Sequence, residues 1–315
     1  GVPQGSTLSA MLFSLYINKI CESLVFSNSM LYADDLQLYV HTNVKDINNA
    51  VASLNADLST LFQWCNDHGL SLNIAKCKSI ILGTSRLLNT IDLNSVNRVS
   101  INGRFLKYEN MVLNLGIRIM NTLSWSEQVN YVYKRVFQCI YQFKRLCFRP
   151  SVEIKIMLIS SLVLPLFDYA LVTYCDMNNT MIDRLQKALN ACIRFIFNLR
   201  LDDHVTNYYK QLGWLKIRER LEYNIISLAY KTLNNREPQY LYEKYRFMEN
   251  VHLRQTRFGS TILQFPIHRT VVYGKAFHTQ SIRLLNNLDN SIKDSTSIKN
   301  FLKKLKCNLV KRYEQ

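Results

Sequence analysis

The sequence predicts an α+β fold, with short strands and helices through the first 125 residues and mainly helices afterwards. Polar and apolar residues alternate just after the adjacent Asp34 and Asp35, which is the period of a strand. From about residue 126 the apolar residues instead recur every three to four positions, which is the period of a helix. The chain of 315 residues is long enough for two or three domains with a substantial core.

The N-terminal elements are predicted in the order α-β-β-α-β. A first helix, which Ser6 or Thr7 could cap, is indicated by an apolar stripe of Leu8, Met11, Leu12, Leu15, Tyr16 and Ile20. Residues 31–33 and 36–40 are expected to form a hairpin with the two aspartates at its turn. A long helix ending near Gly69 is indicated by Ile47, Val51, Leu54, Leu58, Leu61 and Cys65. The segment LSLNIAKCKSIILG then predicts a turn and a last strand.

Short strands are predicted over residues 99–119, where Asn102-Gly103 is a strong hairpin signal. Helices follow, with one stripe formed by Val129, Val132, Val136, Ile140 and Phe143 and another by Ile182, Leu185, Leu189, Ile193 and Ile196. Further helices are expected over residues 217–234 and 298–309. Residues 156–167 are apolar but too few to span a bilayer, so they are predicted to form a buried helix.

The charge balance favours a polyanionic partner. Lysine and arginine total 39 against 23 aspartates and glutamates, a net charge of +16, and nucleic acid is favoured over an anionic membrane surface. The eight cysteines have no C-x-x-C spacing, so we expect reduced thiols rather than disulfides or a zinc site. The N-terminus lacks signal-peptide features. We therefore expect an intracellular protein, nuclear or cytoplasmic and not secreted, without a membrane partner.

The adjacent Asp34 and Asp35 allow two interpretations. Aspartate is a favoured turn residue for purely local reasons, so the pair by itself is most often a hydrated turn. However, a tight turn can also direct two neighbouring carboxylates toward one site, and carboxylate oxygens are ligands that Mg²⁺ prefers. In a basic protein that second interpretation indicates nucleotidyl transfer.

The surrounding sequence decides between the two interpretations. Three segments occur in order, GVPQGSTLSAMLFSLYIN, LYADDLQLYV and HGLSLNIAKCKSIILG. Together they resemble three successive motifs of the reverse transcriptases of non-LTR retrotransposons (jockey-like, long interspersed element type). Downstream segments, such as LVLPLFDYALVTY and RLQKALNACIRFIFNLR, resemble the region that follows the polymerase in such elements. A maturase or a telomerase-like polymerase is a less favoured alternative.

The resemblance implies a division into four parts. Residues 1–85 would be a truncated polymerase palm, a split β-α-β unit whose first strand is missing. Residues 86–125 would form a β-hairpin connection, residues 126–200 a helical thumb, and residues 201–315 a basic, mostly helical C-terminal extension. The missing strand would carry a further catalytic aspartate, so we expect these 315 residues to be inactive by themselves.

The resemblance also assigns roles to single residues. Asp34 and Asp35 would hold Mg²⁺ (Mn²⁺ is possible), and Lys76 would stabilise the triphosphate or donate a proton to the leaving pyrophosphate. Tyr32 and Ala33 would lie beside the primer end and the incoming nucleotide. The template and nucleotide pocket would be lined by Pro3, Gln4, Gly5 and Ser6.

Basic residues on the later helices are candidates for contacts with the nucleic-acid backbone. Arg184, Lys187 and Arg194 fall within about 80° of one another on a helix. Lys134, Arg135, Lys144, Arg145 and Arg149 add charge to the preceding helical region. A solvated helix face is the alternative for these residues. Tyr174, Trp214 and Phe277 could stack on bases, although core packing is favoured for each.

The function predicted from the resemblance is RNA-directed DNA polymerase, in the form of a fragment of a non-LTR retrotransposon reverse transcriptase. An RNA template, a DNA primer and deoxynucleoside triphosphates would be its partners, and the intact parent would use two metal ions for nucleotidyl transfer. The alternative is a non-catalytic nucleic-acid-binding or interaction protein derived from such an element.

Overall fold

The structure is a computed structural model that describes residues 5–145, 150–248 and 262–314. Four of the residues singled out in the sequence, Pro3, Gln4, Cys147 and Arg149, lie outside the described residues. The chain divides into two compact units, Gly1–Ser124 and Trp125–Gln315. Helices predominate and the strands pair in antiparallel hairpins, which confirms the α+β class. The four-part division remains a prediction.

The first unit combines three two-stranded antiparallel sheets with helices. Its helices are α1 (Ser9–Ile17), α2 (Ile47–Asp67) and the single turn α3 (Ser85–Leu88). Its strands are β1 (Asn28–Tyr32), β2 (Asp35–Tyr39), β3 (Ser100–Ile101), β4 (Arg104–Phe105), β5 (Met111–Asn114) and β6 (Ile117–Met120). β1 pairs with β2, β3 with β4 and β5 with β6.

Several predicted elements of this unit are confirmed. The long helix is α2, and Gly69, just beyond its end, has φ +64. The predicted Asn102-Gly103 turn joins β3 to β4, and both residues have positive φ, as a type I′ hairpin requires. The strands expected over residues 99–119 are β3 to β6. These elements are specified locally, by apolar spacing and turn chemistry.

The strand predicted after the LNIAK segment is wrong. Residues Ile74–Lys76 form a 3₁₀ turn, and beyond it only Ser79 makes an isolated bridge, to Tyr108. A strand needs a neighbour that takes its backbone hydrogen bonds. Ser79 finds one, since its carbonyl accepts from the N–H of Glu109 at 2.8 Å, but the half-buried Ile80 and Ile81 do not continue the ladder.

The first helix is confirmed as α1, but two of its predicted details are wrong. Leu8 occupies the N-cap position without a side-chain cap, so neither Ser6 nor Thr7 caps the helix. Most of the predicted apolar stripe is exposed, including Leu8, Met11 and Leu15. Its buried residue is Ile17 instead, because the side of α1 that carries it faces the rest of the unit.

One small core joins the elements on which the motifs lie. Buried Ile17 and Ile20, which follow from α1, pack with Leu61 and Cys65 of α2. Partly buried residues from the hairpin and the following segment surround them: Leu31, Leu36, Leu38, Leu70 and Leu72. The Tyr16 hydroxyl donates to the carbonyl of His68, which attaches α1 to the C-terminal end of α2. The three sequence motifs are therefore neighbours in this unit.

The second unit is mainly helical in its described residues, with one isolated antiparallel bridge between Phe247 and Leu263. Its first six helices are α4 (Ser126–Lys144), α5 (Val152–Leu158), α6 (Leu164–Asp168), α7 (Asn179–Phe197), α8 (Thr206–Leu212) and α9 (Ile217–Asn235). The remaining helices are α10 (Gln239–Tyr242), α11 (Val271–Lys275), α12 (Phe277–Asn286), α13 (Asn290–Lys293) and α14 (Ile298–Lys311). The helices predicted from residue 126 onward, including those over residues 217–234 and 298–309, are confirmed as α4, α7, α9 and α14.

The apolar segment over residues 156–167 is helical, as predicted, but only one side of it is buried, since Met157 and Leu162 are exposed. A π-helical turn, Ile159–Val163, joins α5 to α6, and Ile159, Val163 and Phe167 are buried in the larger core of this unit. That core also contains the predicted apolar stripes of α4 and α7. Within the described ranges, no helix combines the length and apolar character needed to cross a bilayer. The seven described cysteines are free thiols.

Candidate functional site

The two adjacent aspartates lie at the tip of the β1–β2 hairpin. Tyr32 pairs with Asp35, so Ala33 and Asp34 form a two-residue turn. Ala33 has φ +52, a left-handed conformation that suits a tight hairpin. Asp34 therefore belongs to the turn and Asp35 to the first position of β2.

The tip is open to solvent. Asp34, Asp35 and Ala33 are exposed, and Tyr32 is 68% exposed. Neither carboxylate takes part in an ion pair or a side-chain hydrogen bond with another described residue. Within the described part of the chain, no group of three or more His, Cys, Asp or Glu side chains could hold a metal ion. The site thus presents two free carboxylates rather than a complete cage.

Two kinds of contact hold the hairpin in place: apolar packing at its base and a side-chain hydrogen bond to β5. Leu31, Leu36 and Leu38 turn toward the core formed with α1 and α2, so the exposed tip is anchored by apolar contacts at its base. The Gln37 side-chain amide also donates to Asn114 Oδ1 at 3.1 Å, which connects β2 to β5.

Asp57 positions the chain that enters this hairpin, and sequence reasoning missed it. Asp57 is 2% exposed, and its carboxylate accepts backbone N–H groups from Val25, Phe26 and Ser27 at 3.0, 3.0 and 2.6 Å. Burial acts to raise the pKa of this carboxyl, but the backbone donors outweigh burial and hold it below its usual value. The available signal was an aspartate on the apolar face of α2, four residues before Leu61.

Lys76 and the residues after the N-terminus lie on separate elements. Lys76 ends the 3₁₀ turn Ile74–Lys76 with an exposed side chain, and no described ion pair joins it to Asp34 or Asp35. The preceding residues line an open cleft of about 540 Å³ together with Asn102 and Arg104. Gly5 has φ +85, a conformation that favours glycine, and the Ser6 carbonyl accepts the N–H of Ser9 at 3.2 Å.

The basic candidates of the second unit differ in whether their side chains are exposed or hydrogen-bonded within the fold. Exposed side chains belong to Lys134, Arg135, Lys144, Arg145, Arg184 and Lys187. Arg194 is instead engaged within the fold, because its guanidinium donates to the carbonyls of Arg200, Leu201 and Asp203. It therefore holds the loop that follows α7, whereas the other six present their charge to solvent.

The three aromatic residues considered for base stacking belong to the interior, as favoured. Tyr174 is fully buried, Trp214 is buried, and Phe277 packs against both cores of the second unit. Burial raises the pKa of the Tyr174 phenol above its usual value.

Two comparisons with known proteins bear on this arrangement. The family model described as reverse transcriptase (RNA-dependent DNA polymerase) matches residues 1–132. The RNA-directed DNA polymerase from the mobile element jockey of Drosophila melanogaster is 27% identical over 141 residues. That alignment covers 42% of this chain but 14% of the jockey protein.

The matched region contains the hairpin tip, α1, α2 and the LNIAK segment. Residues 1–132 therefore match the reverse transcriptase family, and 141 residues of the chain are similar to the polymerase of the non-LTR element jockey.

Proposed function

We propose that this chain is part of an RNA-directed DNA polymerase of a non-LTR retrotransposon. The intact enzyme would add deoxynucleotides to a DNA 3′ end on an RNA template. The observation that carries this proposal is the exposed turn of residues 32–35, which presents Asp34 and Asp35 between α1 and α2. In this proposal α1, β1, β2 and α2 are palm elements, and the helices from α4 onward supply a thumb and a basic extension.

The donor set at the turn fits a hard divalent cation. Asp34 and Asp35 offer carboxylate oxygens that no described residue occupies, and Mg²⁺ binds through one or two carboxylates together with water and substrate phosphates. Bound there, Mg²⁺ would stabilise the attacking and leaving oxygens of the phosphoryl transfer. With two carboxylates alone the site would bind the ion weakly.

The remaining residues would bind and orient the substrates. Tyr32, exposed beside the turn, and Ala33 would contact the primer end and the incoming nucleotide. Lys76 would neutralise the triphosphate and donate a proton to the leaving pyrophosphate. Gly5 lets the backbone approach a ligand closely, and with Ser6 it would line the template and nucleotide pocket.

Metal binding tests this proposal without requiring activity. Free Mn²⁺ gives an electron paramagnetic resonance signal that is lost on binding, so titration of the full chain measures bound ion directly. We expect Asp34→Asn/Asp35→Asn to abolish the binding that the unaltered chain shows. Asp46→Asn/Asp67→Asn, which removes two aspartates elsewhere, should bind like the unaltered chain. Equal binding by the hairpin variant and the unaltered chain would contradict the proposal.

We further propose that these 315 residues do not polymerise by themselves, because the family uses another aspartate from an earlier palm strand. A primer-extension assay with an RNA template, a DNA primer and Mg²⁺ or Mn²⁺ tests this point. No extension is expected. Template-dependent synthesis that Asp34→Asn abolishes would overturn the inactivity of the isolated chain, while leaving the assignment to polymerase chemistry intact.

The alternative is a nucleic-acid-binding protein derived from such an element, which the net charge of +16 and the exposed basic residues of α4 and α7 favour. Nucleotide binding separates the two functions. Binding of a deoxynucleoside triphosphate with Mn²⁺ that requires Asp34 supports a polymerase site. RNA binding without such nucleotide binding supports the alternative.

A further inference from the structure

One side of helix α4 combines aromatic and basic side chains. Tyr133, Phe137 and Tyr141 follow one another at four-residue steps, about 6 Å apart along the helix axis. With Lys134, Lys144 and Arg145 they fall within an arc of about 120° around the helix. We call these six residues the aromatic–basic face. The buried side of the same helix, with Val129, Val132, Val136 and Ile140, lies outside this arc.

Two of the three aromatic rings of this face are open to solvent, whereas Tyr133 is half-buried and packs against the larger core of the unit. The ring centroids of Tyr133 and Phe137 are 4.8 Å apart. Phe137 is 38% exposed and Tyr141 is 62% exposed. Single exposed apolar residues are common on proteins, but three aromatic residues at helical spacing on one side form a continuous surface that could bind a flat apolar group.

Cations lie directly over two of these rings. The guanidinium carbon of Arg184, from α7, is 4.8 Å from the Tyr133 ring centroid, and that of Arg145 is 5.6 Å from the Tyr141 centroid. Such contacts hold a long side chain over the ring face and keep its charge at the edge of the row. Phe137, between them, has no such cation among the described contacts, and Tyr141 stays 62% exposed beside Arg145, so both rings remain accessible.

The charge of the face is of a single sign. Residues 130–145 contain no aspartate or glutamate. None of the ion pairs among the described residues involves Lys134, Lys144, Arg145 or Arg184. The face therefore presents uncompensated positive charge on both sides of a row of aromatic rings, which suits a polyanion with flat apolar groups attached at short intervals.

We propose that the aromatic–basic face of α4, with Arg184, binds single-stranded nucleic acid, stacking bases on Phe137 and Tyr141 and pairing phosphates with the surrounding cations. Single strands expose the faces of their bases, whereas a duplex buries them in its own stack. An acidic peptide would satisfy the cations but would leave the rings uncovered. This surface does not depend on Asp34, so it can be tested independently of the polymerase proposal.

Oligonucleotides with and without bases separate stacking from charge attraction. The full chain is titrated into a fluorescein-labelled oligothymidine of about 16 nucleotides, the upper end of known site sizes, and into an abasic oligonucleotide of equal length. Fluorescence anisotropy gives both dissociation constants at several salt concentrations. We expect the oligothymidine to bind at least about tenfold more tightly, because each stacked base adds affinity that the abasic strand lacks.

Two sets of variants then assign the affinity to rings and to cations. Phe137→Ala and Tyr141→Ala should each weaken oligothymidine binding by roughly tenfold while leaving abasic binding and the salt dependence unchanged. Lys134→Gln/Lys144→Gln should weaken binding of both strands and reduce the slope of log affinity against log salt by about 1.4. Tyr240→Ala removes a tyrosine that is 64% exposed on α10 and should change neither.

Circular dichroism of each variant reports folding, which should be intact because these side chains are exposed. The proposal is overturned if the unaltered chain binds both strands equally or binds neither. It is also overturned if Phe137→Ala and Tyr141→Ala, with circular dichroism spectra like that of the unaltered chain, bind oligothymidine as tightly as Tyr240→Ala does. Unchanged binding by Asp34→Asn would show that this surface and the hairpin site are separate.

Discussion

The Asp57 carboxylate lies 2.6 Å from the backbone nitrogen of Ser27, so helix α2 directly holds the segment that leads into β1. The same carboxylate accepts two further backbone N–H groups, from Val25 and Phe26. Three neighbouring peptide groups are thus satisfied by one buried side chain. Because β1 begins at Asn28, this contact sets where the hairpin with Asp34 and Asp35 starts.

We expect Asp57→Asn to destabilise the first unit by roughly 2 kcal/mol, since an amide replaces a buried, charged acceptor of three backbone N–H groups. The pKa of Asp57 is lowered in the folded chain, so its stabilisation is complete above the ordinary carboxyl pKa of about 4. That stabilisation is lost as the pH falls through the lower folded value. The difference between Asp57→Asn and the unaltered chain should therefore shrink in acid.

Hydrogen exchange measured by mass spectrometry over residues 24–32, at neutral and acid pH, checks this expectation locally. The segment should exchange faster in Asp57→Asn at neutral pH. Asp46→Asn provides the control, because Asp46 precedes the same helix but is exposed and makes no side-chain cap. A control and a variant that exchange equally fast would show that the three hydrogen bonds do not hold the segment.

The ion pair between Arg220 and Asp168 should show an asymmetric response to mutation. Arg220 Nη1 lies 2.7 and 2.6 Å from the two Asp168 carboxylate oxygens, and the side chains are 11% and 40% exposed. Asp168→Ala leaves a buried guanidinium unpaired and should cost about 3 kcal/mol. Arg220→Met leaves a carboxylate that water can reach and should cost clearly less.

Urea denaturation followed by the fluorescence of Trp125 and Trp214 measures both costs, and the double variant gives the coupling energy. Glu222→Ala, which breaks the more exposed pair with Arg312, should change stability by less than about 1 kcal/mol. If Asp168→Ala cost no more than Glu222→Ala, the partly buried pair would contribute no more than an exposed one.

Cysteine reactivity should follow burial. Cys307 is exposed on α14, whereas Cys65, Cys175 and Cys192 are buried. Burial, with a smaller effect of nearby Asp176, raises the pKa of the Cys175 thiol to about 11, which leaves almost no reactive thiolate at neutral pH. Brief treatment with a maleimide should therefore modify Cys307 first among the described cysteines. Peptide mapping by mass spectrometry would contradict this order if Cys175 or Cys192 reacted as quickly in the native chain.

The elements predicted correctly from sequence are those whose cause is local. Helices α2, α4 and α7 repeat apolar residues at the helical period, and the Asn102-Gly103 pair specifies its own turn. The hairpin turn was located to within one residue for the same reason, since strand periodicity flanks it, although Ala33 belongs to the turn and Asp35 to β2.

The features that were missed depend on distant partners. The segment after Lys76 has the composition of a strand, but it forms one only where a neighbour pairs with it, and Ser79 alone does so. Asp57 gives no periodic signal in the sequence, because its role depends on the backbone N–H of Ser27, 30 residues earlier in the chain. The row of Tyr133, Phe137 and Tyr141 became visible only when exposure separated these residues from the buried stripe of α4.

The turn between β3 and β4 offers a clean test of backbone strain, because Gly103 has φ +74 and open space where a side chain would begin. Gly103→Ala should therefore destabilise the first unit by about 1 kcal/mol through conformation alone, without a steric clash. Gly83→Ala is the matched control: Gly83 is not among the glycines with positive φ, and a Cβ there would meet Leu88 at 3.4 Å, an ordinary contact. Thermal unfolding of the two variants should differ in midpoint, with Gly103→Ala the lower. Equal midpoints would mean that the hairpin turn does not require a left-handed residue at position 103.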